Sequence, residues 1–251
     1  MILSAAGFLI ATVFSMVGLA GGSFIVPLLV LGFGLATQKA VGVSLFAVTF
    51  ITISAALGYA ARRRIDFRVG LILDALDVPG AFIGAYITTM VRSSILAGMF
   101  GLMLVFISFY AFLRKNSKPE KGGGGRPELN RRVITACMMG SFLSGIVSGM
   151  FGIGGGVVDE LVMIFILGMS VHLSAATAMF GMALTTVSAV VPHWMLGNVV
   201  LEYAIPLAAG GVVGGQLGPY LSVRSRATTL RKVMAIVIAL IGVRMLFVPF
   251  F

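Results

Sequence analysis

The sequence predicts an all-α protein that crosses a membrane several times, and three observations lead to this fold class. Of its 251 residues, 59% are hydrophobic and only 10% are charged, whereas about a quarter of an ordinary globular domain is charged. The mean hydropathy is +1.10. Apolar runs of roughly 20 residues, the length of helix that spans a bilayer, follow one another along the chain. Because so few charges cannot cover a water-soluble surface, a soluble enzyme and a nucleic-acid-binding protein are excluded.

Eight apolar runs make up the chain, six of them as long as one span and two much longer. The long runs, residues 2–36 and 133–169, would each be roughly 50 Å long or more as one helix. Both contain a glycine cluster near the middle, where a helix is readily broken. Each long run is therefore predicted to be either one strongly tilted helix or a helical hairpin that turns at its glycines. The six single spans are residues 40–61, 69–91, 93–113, 173–196, 203–223 and 233–251.

The positions of the basic residues favour the hairpins. Lysines and arginines cluster at residues 62–68, 114–132 and 224–232. If both long runs return to the side from which they start, the three clusters share one face and hold 15 of the 18 basic residues. Because basic loops prefer the cytoplasm, the sequence predicts a multi-pass protein of the plasma (inner) membrane with both termini outside. The segment 114–132, which contains four consecutive glycines, is then a flexible cytoplasmic linker.

The two halves of the chain repeat each other with an offset of 134 residues, so that residues 18–22 align with residues 152–156. The predicted units are an N-terminal repeat, 1–113, and a C-terminal repeat, 133–251. Each repeat, with one hairpin and three single spans, crosses the membrane an odd number of times, so the second is predicted to be inverted relative to the first. Many secondary transporters have this plan, with binding sites near the midplane at broken helices. The alternative is that glycines of unrelated membrane helices coincide.

The glycine-rich motifs of the two halves resemble those of the TauE/SafE family of sulfite and organosulfonate exporters. The resemblance is carried by residues 18–27, Gly-Leu-Ala-Gly-Gly-Ser-Phe-Ile-Val-Pro, and residues 152–156, Gly-Ile-Gly-Gly-Gly. It covers nearly the whole chain and implies a plasma-membrane carrier of small sulfur-containing anions or related organic acids. We expect no cofactor. The second motif departs from the family pattern, because Leu161 stands at the position that matches Pro27.

The glycine clusters are the predicted anion site. If the chain turns there, two half-helices begin deep in the membrane, and their unpaired N–H groups suit an oxyanion without a basic side chain. The alternative is that these glycines only allow close helix packing. Hydroxyls that open the following spans could bond the substrate, although membrane hydroxyls more often bond their own helix. The candidate substrate-binding residues are Gly21, Gly22, Ser23, Ser44, Gly154, Gly155, Gly156 and Thr177.

Asp159 and Glu160 follow the second glycine cluster directly and are the predicted coupling residues. Ionisable groups inside a span are costly and are functional by default, so one of the two could carry a proton that couples transport to the proton gradient. Alternatively, acids in the first turn of a helix only complement its dipole.

Asp74 and Asp77 lie three residues apart inside the third run, and so on one helix face. Their counterparts in the second half are Ala208 and Gly211, so these acids are not part of the repeated design. The sequence predicts either a structural ion pair with Arg68 or Arg64, or a gate.

These features together predict a secondary transporter, most simply an exporter, that moves sulfite, organosulfonates or another small anion by alternating access. The predicted partners are the small anion and the lipid bilayer, and no nucleic acid. A carrier of small carboxylates is the nearest alternative. An anion channel and an intramembrane enzyme are less favoured, because only His172 and His193 could serve an enzyme as neutral bases. No metal-ligand spacing or phosphate-binding loop is present in the sequence.

Overall fold

The fold is a bundle of helices, and the computed structural model describes residues 1–113, 130–222 and 227–247 of it. Within these ranges the chain forms ten α-helices, one π-helical segment and no strand. The helices are α1 Ile2–Ser15, α2 Gly22–Pro27 with the π-helix Leu28–Gly32, α3 Thr37–Ala61, α4 Phe67–Met90, α5 Ser93–Leu113, α6 Arg131–Phe151, α7 Gly156–Phe165, α8 Val171–Met195, α9 Leu201–Ser222 and α10 Ala227–Phe247.

The lengths and apolar composition of these helices confirm an all-α, multi-pass membrane protein. Four stretches are long and apolar enough to cross a bilayer, namely Thr37–Ala61, Phe67–Met90, Val133–Phe151 and His172–Met195. The predicted single spans agree with α3, α4, α5, α8, α9 and α10 to within a few residues, except that α10 begins at Ala227. Residues 114–129 of the predicted linker 114–132 lie outside the described residues. At its other end, the last two residues of the predicted linker already belong to α6, which begins at Arg131.

Both long runs break at their glycine clusters. The backbone between α1 and α2 takes left-handed φ angles of 87° at Gly18 and 91° at Gly21. Between α6 and α7, three glycines have positive φ angles, 71° at Gly152, 85° at Gly154 and 75° at Gly155. Because side chains strongly disfavour this conformation, the glycines dictate where the chain turns. We call residues 18–22 the first glycine turn and residues 152–156 the second glycine turn.

The chain folds back on itself at each turn. The rings of Phe14 in α1 and Phe24 in α2 pack with their centroids 6.0 Å apart. In the second half, a Cβ added to Gly140 of α6 would lie 2.6 Å from Cγ2 of Val162 in α7. The prediction of two hairpins is therefore confirmed, and the alternative of one long tilted helix in each run is wrong.

Two long helices, α3 and α8, form the centre of the bundle and run antiparallel. The start of α3 packs at Gly42 against Asn198, just beyond the end of α8. Near their middles, the hydroxyl oxygens of Thr52 and Thr186 lie 3.5 Å apart. These two helices are also the most enclosed of the four long spans: 78% of the apolar stretch of α3 and 67% of that of α8 are buried inside the bundle.

The remaining helices pack in pairs that join the two halves of the chain. α1 packs along α9, α4 along α6, and α5 along α10. Glycines allow the backbones to approach closely in these pairs, as small residues do in membranes: a Cβ on Gly84 of α4 would overlap the carbonyl of Ile146, and a Cβ on Gly214 of α9 would overlap that of Phe8. Each half is thus stabilised mainly by helices of the other half.

Candidate functional site

The two glycine turns lie against each other in the interior. A Cβ on Gly22 would overlap the carbonyl oxygen of Gly152 and lie 2.7 Å from Cα of Ile153. The hydroxyl of Ser44 in α3 donates to the same Gly152 oxygen at 2.8 Å. Two segments that are far apart in the sequence are therefore brought together by contacts that only glycine permits.

A helix begins at each glycine turn, and no side chain caps its amino end. The N-cap residues are Gly21 for α2 and Gly155 for α7, both in the left-handed conformation and both without a side-chain cap hydrogen bond. Helix amino ends carry unpaired N–H groups and a partial positive charge. Ser23, in the first turn of α2, is buried as well. The arrangement can therefore present backbone donors to a negatively charged group.

Gly154 and Gly156 pack against α8 at the centre of the bundle. A Cβ on Gly154 would lie 3.1 Å from Cγ2 of Thr186 and 3.3 Å from Cγ1 of Val48, and a Cβ on Gly156 would overlap Met182. The hydroxyl of Thr186 donates to Met182 O of its own helix at 2.6 Å. Close packing thus accounts for part of the glycine content, as the alternative interpretation of the sequence held.

Thr177, another candidate substrate-binding residue, bonds to the start of α4 and not to a glycine turn. Its hydroxyl oxygen accepts a hydrogen bond of 3.1 Å from the backbone N–H of Asp66, the N-cap residue of α4. The structure brings Ser44 to a glycine turn but places Thr177 at the start of α4. The 134-residue offset sets Ser44 opposite Ala178, so Ser44 and Thr177 do not occupy equivalent positions of the two halves.

The two predicted coupling residues face different surroundings. Asp159 is buried at 2% exposure, and its carboxyl group interacts with those of Asp77 and Asp74 and with the Ser144 hydroxyl. Glu160 is also buried, but it acts electrostatically on Tyr59, near the end of α3. The structure therefore separates the two neighbouring acids.

Asp74 and Asp77 are buried between α4 and α8 and bond to a threonine. The hydroxyl oxygen of Thr185 lies 2.8 Å from Asp74 Oδ1 and 2.7 Å from Asp77 Oδ2. Gly181 lets Asp74 approach α8, since a Cβ there would lie 3.0 Å from Asp74 Oδ2. The predicted ion pair with Arg68 or Arg64 is wrong: the groups acting on these carboxyls are other carboxyls and hydroxyls.

The sequence analysis did not assign roles to Ser144 and Thr185, which hold this group of acids together. The signal that was available is the pair of acids inside an apolar run, which requires buried partners. Among the described residues, no group of three histidines, cysteines or acids has the arrangement of a metal site. His193, one of the two candidate bases, is fully buried, and its Nε2 lies 2.9 Å from the carbonyl oxygen of Gly149.

Comparisons with known proteins point to one class of membrane protein. The probable membrane transporter protein YunE of Bacillus subtilis (strain 168) is 30% identical over 98% of this chain and 97% of its own length. The probable membrane transporter protein YdhB of the same bacterium is 25% identical over 96% of this chain and 97% of its own length. The probable membrane transporter protein MJ0441 of Methanocaldococcus jannaschii is 24% identical over 96% of this chain and 92% of its own length.

No solved structure matches the chain. The family model described as Sulfite exporter TauE/SafE matches residues 3–245, which is nearly the whole sequence. The chain therefore belongs to the sulfite exporter TauE/SafE family and is a multi-pass membrane transporter.

Proposed function

We propose that this protein is a secondary transporter that exports small sulfur-containing anions, such as sulfite or organosulfonates, by alternating access around the two glycine turns. The observation that carries the proposal is the contact of the two turns, each of which opens a helix whose amino end no side chain caps. An oxyanion needs several hydrogen-bond donors that converge on it, and bare helix amino ends supply them without a basic side chain.

We further infer that the two halves are inverted repeats. Four helices of the second half begin 134 residues after their counterparts, as the pairs Gly22 and Gly156, Thr37 and Val171, Phe67 and Leu201, and Ser93 and Ala227. Packing is reciprocal, because α1 pairs with α9, the counterpart of α4, while α4 pairs with α6, the counterpart of α1. The antiparallel course of α3 and α8 is what inversion requires. A site between the turns then lies near the bilayer midplane, where the halves can rock about it.

The orientation that we propose places both termini outside and segment 114–132 in the cytoplasm. The guanidinium of Arg62, just after α3, lies 5.8 Å from the ring centroid of Tyr220, near the end of α9. The first basic cluster and the segment that leads into the third therefore lie at one end of the bundle, which supports a common cytoplasmic face. The protein would lie in the plasma membrane.

Asp159 is the coupling residue that we propose, with Glu160 as the less favoured candidate. A Cβ on Gly155 would lie 3.6 Å from Asp159 Oδ2, so this carboxyl group faces the second glycine turn. An ionised carboxylate there would repel an anion bound at the amino end of α7. Binding of the anion should therefore depend on the protonation of Asp159.

Counterflow in proteoliposomes tests the proposed function. Purified protein would be screened with sulfite, thiosulfate, methanesulfonate and small carboxylates, and we expect saturable exchange of the sulfur-containing anions. Gly22→Ala should weaken exchange at least tenfold, because its Cβ overlaps Gly152 of the opposite turn. Gly32→Ala is the matched control, since the nearest atom to its Cβ is the flexible end of Leu28 at 3.7 Å.

Three results would contradict this proposal. Normal exchange by a folded Gly22→Ala variant would show that the anion does not bind at the glycine turns. Exchange of carboxylates alone would make the protein a carboxylate carrier. Flux that does not saturate and that carries a steady current would favour a channel.

A further inference from the structure

We propose that Asp74, Asp77 and Asp159, the carboxyl cluster, form with Thr185 and Ser144 a buried proton-binding site that is loaded together with the anion, so that both move in the same direction. The inference rests on the proposed function and deepens it, because it names the group that carries the proton and the sign of the coupling. It assigns no role to Glu160.

The first argument is the geometry at Thr185. Its hydroxyl oxygen lies at hydrogen-bonding distance from two different carboxyl oxygens, 2.8 Å from Asp74 and 2.7 Å from Asp77. A threonine hydroxyl has one proton to donate, and an ionised carboxylate can only accept. One hydroxyl proton shared between two carboxylates bonds weakly to each, whereas two full hydrogen bonds form if one of the two aspartates is a carboxylic acid that donates to the threonine. The contact pattern therefore favours at least one bound proton.

The second argument is that each member of the cluster keeps an oxygen with no partner. Asp74 Oδ2, Asp77 Oδ1 and Asp159 Oδ1 are buried and make no hydrogen bond within the described part of the chain. The three side chains are at most 4% exposed. Because unpaired charge is very costly in such a place, these oxygens are positions where a proton can be taken up and released.

The third argument is an internal control that the duplication supplies. Each of the five positions has a counterpart 134 residues away in the opposite half, and none of these counterparts carries a carboxyl or hydroxyl group. Every one of these counterparts is buried, so the fold packs the same place with purely apolar side chains. The acids are therefore not needed to build the helix contacts. The counterparts of Asp74, Asp77, Ser144, Asp159 and Thr185 are Ala208, Gly211, Ile10, Ile25 and Ile51.

Within the part of the chain that the structure describes, no basic side chain acts on the carboxyls of the cluster. The groups that act on its carboxyls from α4, α6, α7 and α8 are the cluster members themselves, Thr185 and Ser144. The other titratable groups on these helices are not among those that act on the cluster. Glu160 acts electrostatically on Tyr59, His193 contacts Gly149, and Cys137 packs in an apolar cluster with residues of α7. The described side chains that remain lie at exposed positions, namely Arg68, Tyr86, Arg131 and His172. Three like charges at such short range cannot all persist, so protons are shared among them.

The coupling follows from the position of the cluster beside the second glycine turn. Ser144 donates to the carbonyl oxygen of Gly155 at 2.9 Å, and Asp159 Oδ2 faces the same residue. An anion at the amino end of α7 is repelled by an ionised cluster and accepted by a protonated one. Because such linkage is reciprocal, the anion also favours protonation. If the protein binds the anion and the proton together, and neither of them alone, it carries both in the same direction. Export of an accumulated anion then removes a proton as well.

Infrared difference spectroscopy on the purified protein tests the proton site without any substrate. We expect wild-type protein to show the carbonyl stretch of a buried carboxylic acid, which titrates with pH and is lost or shifted in Asp77→Asn. Asp66→Asn is the matched control, because the same chemical change on the same helix preserves an N-cap and should leave that band unchanged. Absence of the band from wild type would overturn the proposal, as would an equal effect of both variants.

Proteoliposomes then test the coupling with methanesulfonate, a sulfonate that stays ionised, at zero membrane potential. Efflux should alkalinise the lumen, and the half-saturating concentration should rise up to about tenfold per pH unit as one linked proton is lost. In Asp159→Asn, counterflow should persist while both effects disappear. Counterflow without proton movement, acidification of the lumen, or dependence on sodium ions would each refute co-transport and leave the proposed function standing. Absence of counterflow for every anion would refute the proposed function and co-transport together, while the infrared band still decides whether the cluster binds protons.

Discussion

The replacement of Thr185 by valine isolates the energetic role of one hydroxyl that bonds to two buried carboxyls. Thr185→Val keeps the branched shape of the side chain and removes the oxygen that lies 2.8 Å from Asp74 and 2.7 Å from Asp77. Each buried polar group that loses its partner costs about 1–3 kcal/mol. Since the two carboxyls can still interact with each other, we expect the free energy of unfolding to fall by about 2–4 kcal/mol.

The matched control is the neighbouring residue on the same helix. Thr186 is also fully buried, but its hydroxyl donates to the carbonyl of Met182 within α8. That carbonyl keeps its place in the helix when the hydroxyl is lost, so Thr186→Val should cost less than about 1 kcal/mol. Denaturant titration of the two variants in the same detergent measures the difference as a shift in midpoint at constant slope. Equal shifts for the two variants would refute the role assigned to Thr185.

Three further predictions concern other contacts. Gly149→Ala should destabilise the bundle by at least about 1–3 kcal/mol, because its Cβ overlaps the carbonyl of Ala81 in α4; an unchanged unfolding midpoint would contradict the packing of α4 on α6. Asp66→Ala should cost about 0.5–2 kcal/mol through loss of the cap on α4 and leave the affinity for the anion unchanged, as an isotherm would show. His193→Ala should lower the thermal midpoint more than His172→Ala, because only His193 is fully buried against the Gly149 carbonyl; the reverse order would speak against that contact.

The sequence was most informative where local backbone chemistry decides the structure. The glycine clusters predicted two hairpins, and the turns occur where glycines take positive φ angles: at Gly18 and Gly21 in the first, and at Gly152, Gly154 and Gly155 in the second. The lengths of the apolar runs likewise predicted the helices, because bilayer thickness and helix rise leave little freedom.

The partners of the buried acids could not be predicted, because they come from distant helices. Asp74 and Asp77 were placed with arginines a few residues away, whereas their partner Thr185 lies 108 residues or more along the chain. Which face of α4 meets α8 is decided by packing, and helix periodicity alone does not reveal that face in a run that is apolar on nearly every side. The 134-residue offset did reveal that the second half has no counterparts of these two acids, because Ala208 and Gly211 stand at the matching positions.

The exchange of packing partners between the halves has a consequence for how the protein is made. α1 rests on α9 and α4 rests on α6, so two of the earliest helices to leave the ribosome have no docking site until much later ones emerge. During synthesis these helices remain unpacked in the lipid or in the insertion machinery, with their glycine faces uncovered. We therefore expect that neither half folds independently. The two halves expressed as separate polypeptides should accumulate only when both are made in the same cell.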